Sequence, residues 1–173
     1  MFANQEKTKV QRDIVEQSYL LSKIKSWAYS NTSITDEQKQ RLYENTKDLS
    51  DNYHMKVVRN GLYILLDDIE VSHPRDENKK VTYKKPKLLI NHNFGYHFSI
   101  KGILDIVHPH YYDRFCLGDQ GYYIDDYSKR QDLQSCIDIL EVVLSSCKDD
   151  PPYVSRFNQA YKKQNEENNP QDK

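Results

Sequence analysis

His54-Met55-Lys56-Val57-Val58-Arg59-Asn60-Gly61-Leu62-Tyr63-Ile64-Leu65-Leu66 is the stretch on which the fold turns. Two runs rich in aliphatic and β-branched residues flank Asn60-Gly61. That dipeptide favours a two-residue hairpin turn because both its positions tolerate positive φ. The stretch therefore predicts two antiparallel strands. Two further strand-like runs follow at 81–90 and 96–107, separated by Asn91-His92-Asn93-Phe94-Gly95. Pro86 lacks an N–H to donate, which weakens the first of these or places it at an edge. Residues 73–80 read as a charged loop. Four strands joined in sequence predict a four-stranded antiparallel meander.

Helices are expected on either side. Over residues 10–28, Val10, Ile14, Leu21, Ile24 and Ala28 recur at steps of three, four or seven, an amphipathic pattern. Thr35-Asp36-Glu37-Gln38 has the form of a capping box and opens a surface helix to about Leu49. The stretch from His108 to about Lys129 reads as irregular and rich in tyrosine. Residues 131–147 carry one broad apolar stripe through Leu133, Cys136, Ile137, Leu140, Val143, Leu144 and Cys147. Pro151-Pro152 ends that helix, because proline cannot continue one. A last helix is expected at about 153–164. The predicted class is α+β, a four-stranded antiparallel meander with helices on one face. N-terminal helices (1–52) precede an α+β domain (53–164) and a polar, disordered tail (165–173).

Composition bounds the function classes. The 173 residues suit one domain, with 37% hydrophobic residues and a mean hydropathy of -0.91. Tyrosine supplies most of the aromatic mass, 14 residues against 5 Phe and one Trp. No apolar run of about 18 residues is present, so no membrane span is expected. Met1 to Lys7 holds no apolar signal core, so no secretory signal is expected either. Lys+Arg number 25 against 26 Asp+Glu, a balance that gives no field for recruiting nucleic acid. Cys116, Cys136 and Cys147 show no C-x-x-C spacing; an odd count without a signal points to free thiols in a reducing, cytoplasmic setting. No glycine pattern for phosphate binding occurs, and no cofactor is expected.

The densest constellation is His108-Pro109-His110-Tyr111-Tyr112-Asp113-Arg114-Phe115-Cys116-Leu117-Gly118-Asp119, at the exit of the meander. Loops held by a scaffold are where binding and catalysis concentrate. Two imidazoles and Arg114 near Cys116 favour the thiolate, the nucleophilic form.

At these residues the chain resembles the ubiquitin-conjugating-enzyme-like, or RWD-like, superfamily. Its enzymes place a His-Pro-Asn turn after the fourth strand, then a loop to a Cys-Leu pair bearing the active thiol. A bacterial and phage-associated branch reads His-Pro-His followed by Cys-Leu-Gly, as do His108-Pro109-His110 and Cys116-Leu117-Gly118 here. The order of helix, meander, motif and two helices is also similar, over roughly residues 54–161. The resemblance implies that Cys116 carries ubiquitin or a ubiquitin-like protein as a thioester received from an activating enzyme. His108 would set the turn, and His110 would order the loop and stabilise the oxyanion. The sequence departs from the family in a loop about two residues shorter, in the missing glycine before the cysteine, and in the missing Trp near the next helix.

Other readings stand beside this one. Cys116 packed between Phe115 and Leu117 would be an inert thiol. A non-catalytic interaction module would bind through its sheet face, its extra helix, or the tyrosine-rich loop with Tyr111, Tyr112, Tyr122 and Tyr123 as a contact surface. Asp125 and Asp126 would position an incoming amine or form an exposed polar loop. A small phage or plasmid structural protein would match by fold alone. His108, His110, Asp113 and Cys116 could be drawn as a zinc set, but they lack established ligand spacing, and no metal is expected. Lys79, Lys80, Lys84, Lys85 and Lys87 read as a lysine-protected strand edge in preference to a nucleic-acid stripe.

Overall fold

The computed structural model describes residues 2–59, 61–93, 96–103, 106–111 and 114–170. The class is α+β. Among the described residues, two helices, α1 (Phe2–Tyr29) and α2 (Asp36–Leu49), lead into six strands. These are β1 (His54–Val58), β2 (Gly61–Leu65), β3 (Ile69–His73), β4 (Asp76–Tyr83), β5 (Lys87–Asn93) and β6 (Tyr96–Ile103). Three helices follow: α3 (Gln120–Lys129), α4 (Leu133–Leu144) and α5 (Pro151–Asn168).

The strands differ from the expected uninterrupted meander. One antiparallel sheet has the order β1-β2-β5-β6, and β3 and β4 form a separate two-stranded hairpin between β2 and β5. The residues read as a charged loop are thus the turn and outer half of that hairpin. Its core face is only four side chains wide, Ile69 opposite Tyr83 and Val71 opposite Val81, all buried. Glu70 and the run Glu77 to Lys80 are exposed, and there Lys80 pairs with Glu70 at 2.9 Å. The run at 81–90 splits because Lys85 takes a positive φ of 40°. Asp68 secures this corner, accepting from the Lys85 backbone N–H (2.9 Å) and pairing with Lys84 (3.1 Å).

Within the sheet, Leu62 and Ile64 of β2 and Leu88 and Ile90 of β5 are completely buried, while Tyr63, Leu65 and Leu89 on alternate positions are half-exposed. One face is therefore the core face. Val58 pairs with Gly61, so the β1–β2 turn falls one residue earlier than Asn60-Gly61 suggested, and Asn60 lies outside the described residues. Gly61 serves a different purpose: a Cβ there would lie 2.2 Å from the Ile90 carbonyl oxygen. Its absence lets β2 and β5 approach.

The helices close over this face. Leu133, Cys136, Ile137, Leu140 and Leu144 of α4 and Phe157 and Ala160 of α5 join Trp27, Ala28, Leu42 and Leu49 of the N-terminal helices in one cluster with the sheet. The N-terminal helices thus share the core. The start of α2 is the expected capping box: Thr35 Oγ1 accepts from Gln38 N (3.2 Å), and Gln38 Oε1 accepts from Thr35 N (2.9 Å). Helix α1 is longer than its apolar pattern, and Ile14, Val15 and Tyr19 are exposed, Ile14 against the expectation that it joins the apolar stripe.

Helix α3 replaces part of the stretch read as irregular. Its inward face is narrow, formed by Ile124, Tyr127 and Ser128, while Asp125 pairs with Lys129 (2.7 Å) and Asp126 with Arg130 along its surface. Pro151 and Pro152 occupy the first turn of α5, where a missing N–H costs nothing. That helix continues through Asn168, into the stretch expected to be tail. No helix among the described residues is long and apolar enough to cross a membrane.

Candidate functional site

The loop leaving the sheet is pinned by backbone and imidazole together. Tyr111 N donates to His108 O (3.1 Å), closing a turn over His108-Pro109-His110. Cys116 N donates to His110 O (2.7 Å), so the loop returns to its own start and sets the cysteine beside the turn.

His108 is buried, with both ring nitrogens engaged. Nε2 donates to Leu144 O at the end of α4 (2.7 Å), and Nδ1 accepts from His110 N (3.0 Å). A carbonyl only accepts and an amide N–H only donates, so this geometry selects the neutral Nε2–H tautomer. Burial pushes the His108 pKa down to about 4. The Tyr83 ring packs at 5.0 Å, and its hydroxyl donates to Val107 O (2.7 Å). His108 thus ties the loop to α4 and β4.

His110 is buried as well. Nδ1 donates to Cys116 O (3.2 Å), and Nε2 lies 3.2 Å from Ser146 Oγ, whose hydroxyl also reaches Val143 O (2.7 Å). Burial, joined by the charges of Lys148 and Arg156, lowers the His110 pKa, while the bond to Cys116 O opposes the shift. Its ring nitrogens face the cysteine's carbonyl and Ser146, and the Cys116 sulfur has a different neighbour.

That neighbour is Arg156 of α5. Its Nη1 donates to Pro109 O (2.9 Å) and stands 3.9 Å from Cys116 Sγ. Tyr153, one turn earlier on α5, lies under the guanidinium, with Arg156 Cζ at 5.8 Å and Lys148 Nζ at 5.4 Å from its ring centre. The His110 ring is 4.9 Å from the same ring. Gly118 takes a φ of +54° and carries the chain past the Lys148 ammonium. Cys116 is half-buried and opens on a cleft of about 530 Å³. Leu117 and Gln120 line one side of it, and Ile139, Val142 and Lys148 the other.

The other expected residues are more scattered. Tyr111 packs against Phe115 at 4.9 Å. Tyr112 and Asp113 lie outside the described residues. Tyr122 and Tyr123 are strongly exposed on α3, whose contribution to the cleft is Gln120. Asp125 and Asp126 are engaged with Lys129 and Arg130 along their own helix. Among the described residues, no three His, Cys, Asp or Glu side chains gather as a metal site. The sequence gives no site signal for Arg156, Ser146 or Lys148, and it marks Tyr153 only as a packing residue of the last helix. The pattern that could have linked two of them is the i,i+3 spacing of Tyr153 and Arg156 on one helix face.

No protein-family description matches this chain, and neither a curated protein nor a solved structure matches it. The functional reading therefore rests on the geometry above and the residue resemblance.

Proposed function

We propose that this protein is a ubiquitin-conjugating-enzyme-like acyl carrier, with Cys116 as the acceptor thiol. The observation that carries the reading is the position of the sulfur. Cys116 is part-buried and lines an open cleft, its backbone N–H is bonded to the His-Pro-His turn, and its sulfur has a guanidinium as neighbour. A buried, inert thiol has none of these features; Cys136 on α4 is the internal contrast. The α+β class, with strands before His108-Pro109-His110 and Cys116-Leu117-Gly118 and helices after them, supports the reading, although the β3–β4 hairpin interrupts the meander that the superfamily resemblance implies.

In this reading an activating enzyme presents the modifier as a thioester. Cys116 Sγ attacks its carbonyl carbon, forming a new C–S bond while the donor sulfur leaves and takes up a proton. An amine then attacks the same carbon, the Cys116 C–S bond breaks, and the amine's proton passes to the departing sulfur. The partners are an activating enzyme and a ubiquitin-like protein, in the cytoplasm. The test is incubation of the purified chain with such a pair and ATP. A thiol-sensitive adduct that disappears in Cys116→Ala supports the proposal, and an adduct that survives this substitution refutes it.

A second reading has its own observation. Both imidazoles of the motif are buried and engaged, with backbone groups and with Ser146. A non-catalytic interaction module would need that much from them, and Tyr122, Tyr123 and Val142 would be its exposed contact residues. Full binding of a partner by Cys116→Ala, with no adduct on the wild type, would favour it.

A further inference from the structure

The cleft lined by Cys116 holds a second nucleophile that the transfer above does not use. Among the described residues that line it, Lys148 alone carries an amine. Lys148 lies in the connection at 145–150 between α4 and α5, on a flexible four-carbon stem. Its Nζ stands 3.5 Å from the place that a Cβ would take on Gly118, two residues beyond Cys116. Thiol and amine also flank one ring. The centre of the Tyr153 ring is 5.4 Å from Lys148 Nζ and 5.8 Å from Arg156 Cζ, and Arg156 Nη1 is 3.9 Å from Cys116 Sγ. The ammonium is not committed to a carboxylate. Asp149, the next residue, pairs with Arg75 at 2.8 Å, and among the described residues no ion pair includes Lys148. We infer that Lys148 is an internal acceptor site, taking an acyl group from Cys116 of the same chain; this rests on the acyl-carrier reading above.

The transfer is an aminolysis. Lys148 first gives one proton to buffer and presents a neutral amine. The nitrogen lone pair attacks the thioester carbon on Cys116, a C–N bond forms, and the C–S bond breaks. A second proton passes from nitrogen to the departing sulfur, which leaves Cys116 as a free thiol and Lys148 as an amide. Thiols and hydroxylamine cleave the thioester and spare the amide, so the two linkages are told apart chemically.

The probe is phenyl thioacetate, whose acetyl group stands in for the modifier's carbonyl. Cys116 Sγ attacks it, a new C–S bond forms, thiophenolate leaves, and the cysteine proton goes to buffer. Peptide mass spectrometry follows acetyl at Cys116, at Lys148 and at the exposed Lys79 as internal reference, in the wild type and in Cys116→Ala. Holding both groups on one scaffold raises their effective concentration, so wild-type Lys148 should be acetylated about 10-fold or more faster than Lys79. In Cys116→Ala that excess should vanish while Lys79 is labelled as before. The rate at Lys148 should also be independent of protein concentration, as a step within one chain requires. Three results overturn Lys148 as internal acceptor and leave the carrier reading standing: acetyl on Cys116 with Lys148 no faster than Lys79, an excess that survives Cys116→Ala, or a rate that rises with protein concentration. A wild-type Cys116 that takes no acetyl group overturns the carrier reading, and the inference with it.

Discussion

Replacing His108 by glutamine removes a buried titrating group while keeping one donor for Leu144 O and one acceptor for His110 N. In the folded protein the His108 pKa is pushed down to about 4; in the unfolded chain it returns to the ordinary histidine value of 6.5. A base with a depressed native pKa binds its proton more readily when unfolded, so acid favours unfolding. Its contribution is intact above pH 6.5, erodes as pH falls, and is fully lost once pH drops below 4. The difference of about 2.5 units corresponds to about 3 kcal/mol, of which about 2 kcal/mol disappears between pH 7 and pH 5. His110, lowered in the same direction, adds to the acid sensitivity of both proteins and cancels in the comparison. The assay is urea unfolding followed by fluorescence of Trp27, the single tryptophan and a buried one, at pH 7, 6 and 5. The wild type should lose about 2 kcal/mol more than His108→Gln over this range. Parallel pH profiles for the two proteins would refute the assignment of His108 as a buried neutral imidazole.

Three further outcomes follow from local geometry. Thr35→Ala deletes the side-chain half of the α2 capping box and should cost about 1 kcal/mol in thermal or urea unfolding. Gly61→Ala forces a methyl group against the Ile90 carbonyl oxygen and should cost about 1–3 kcal/mol; a neutral result would mean that β2 and β5 are further apart than described. Burial pushes the Cys136 thiol up to about 12, so alkylation at pH 8 should leave Cys136 unmodified in the native protein and modify it in concentrated urea.

The elements that the sequence announced are those with a strong local signal. The α4 stripe, the α2 capping box and the β1–β2 pairing are each specified by residues within a few positions of one another. The β3–β4 hairpin was hidden because its inward face is so narrow. Pro74 and the surrounding charges dominate residues 73–80, although Val71 and Val81 meet across it. Helix α3 was hidden for a related reason: its exposed tyrosines give no amphipathic period, and its surface ion pairs support it locally. Pro151-Pro152 cannot continue α4, and the same fixed φ that makes proline a stop suits the first turn of α5.

The candidate site divides in the same way. Cys116 and its His-Pro-His turn form a contiguous motif and were visible at once. Arg156 enters from 40 positions further along the chain, brought to the sulfur by the docking of α5. The roles of the histidines also depended on tertiary partners, since Leu144 and Ser146 of the α4 end decide where the ring nitrogens point.

The most direct measurement of the central claim is a change in the chemistry of the linkage when the acceptor atom changes. With a ubiquitin-like protein, its activating enzyme and ATP, the wild type should form an adduct cleaved by reducing thiols. Cys116→Ser should form an ester that resists thiols and is cleaved by mild base, because oxygen replaces sulfur in the bond. An adduct with the same thiol sensitivity in Cys116→Ser as in the wild type would place the linkage on another residue and contradict the account.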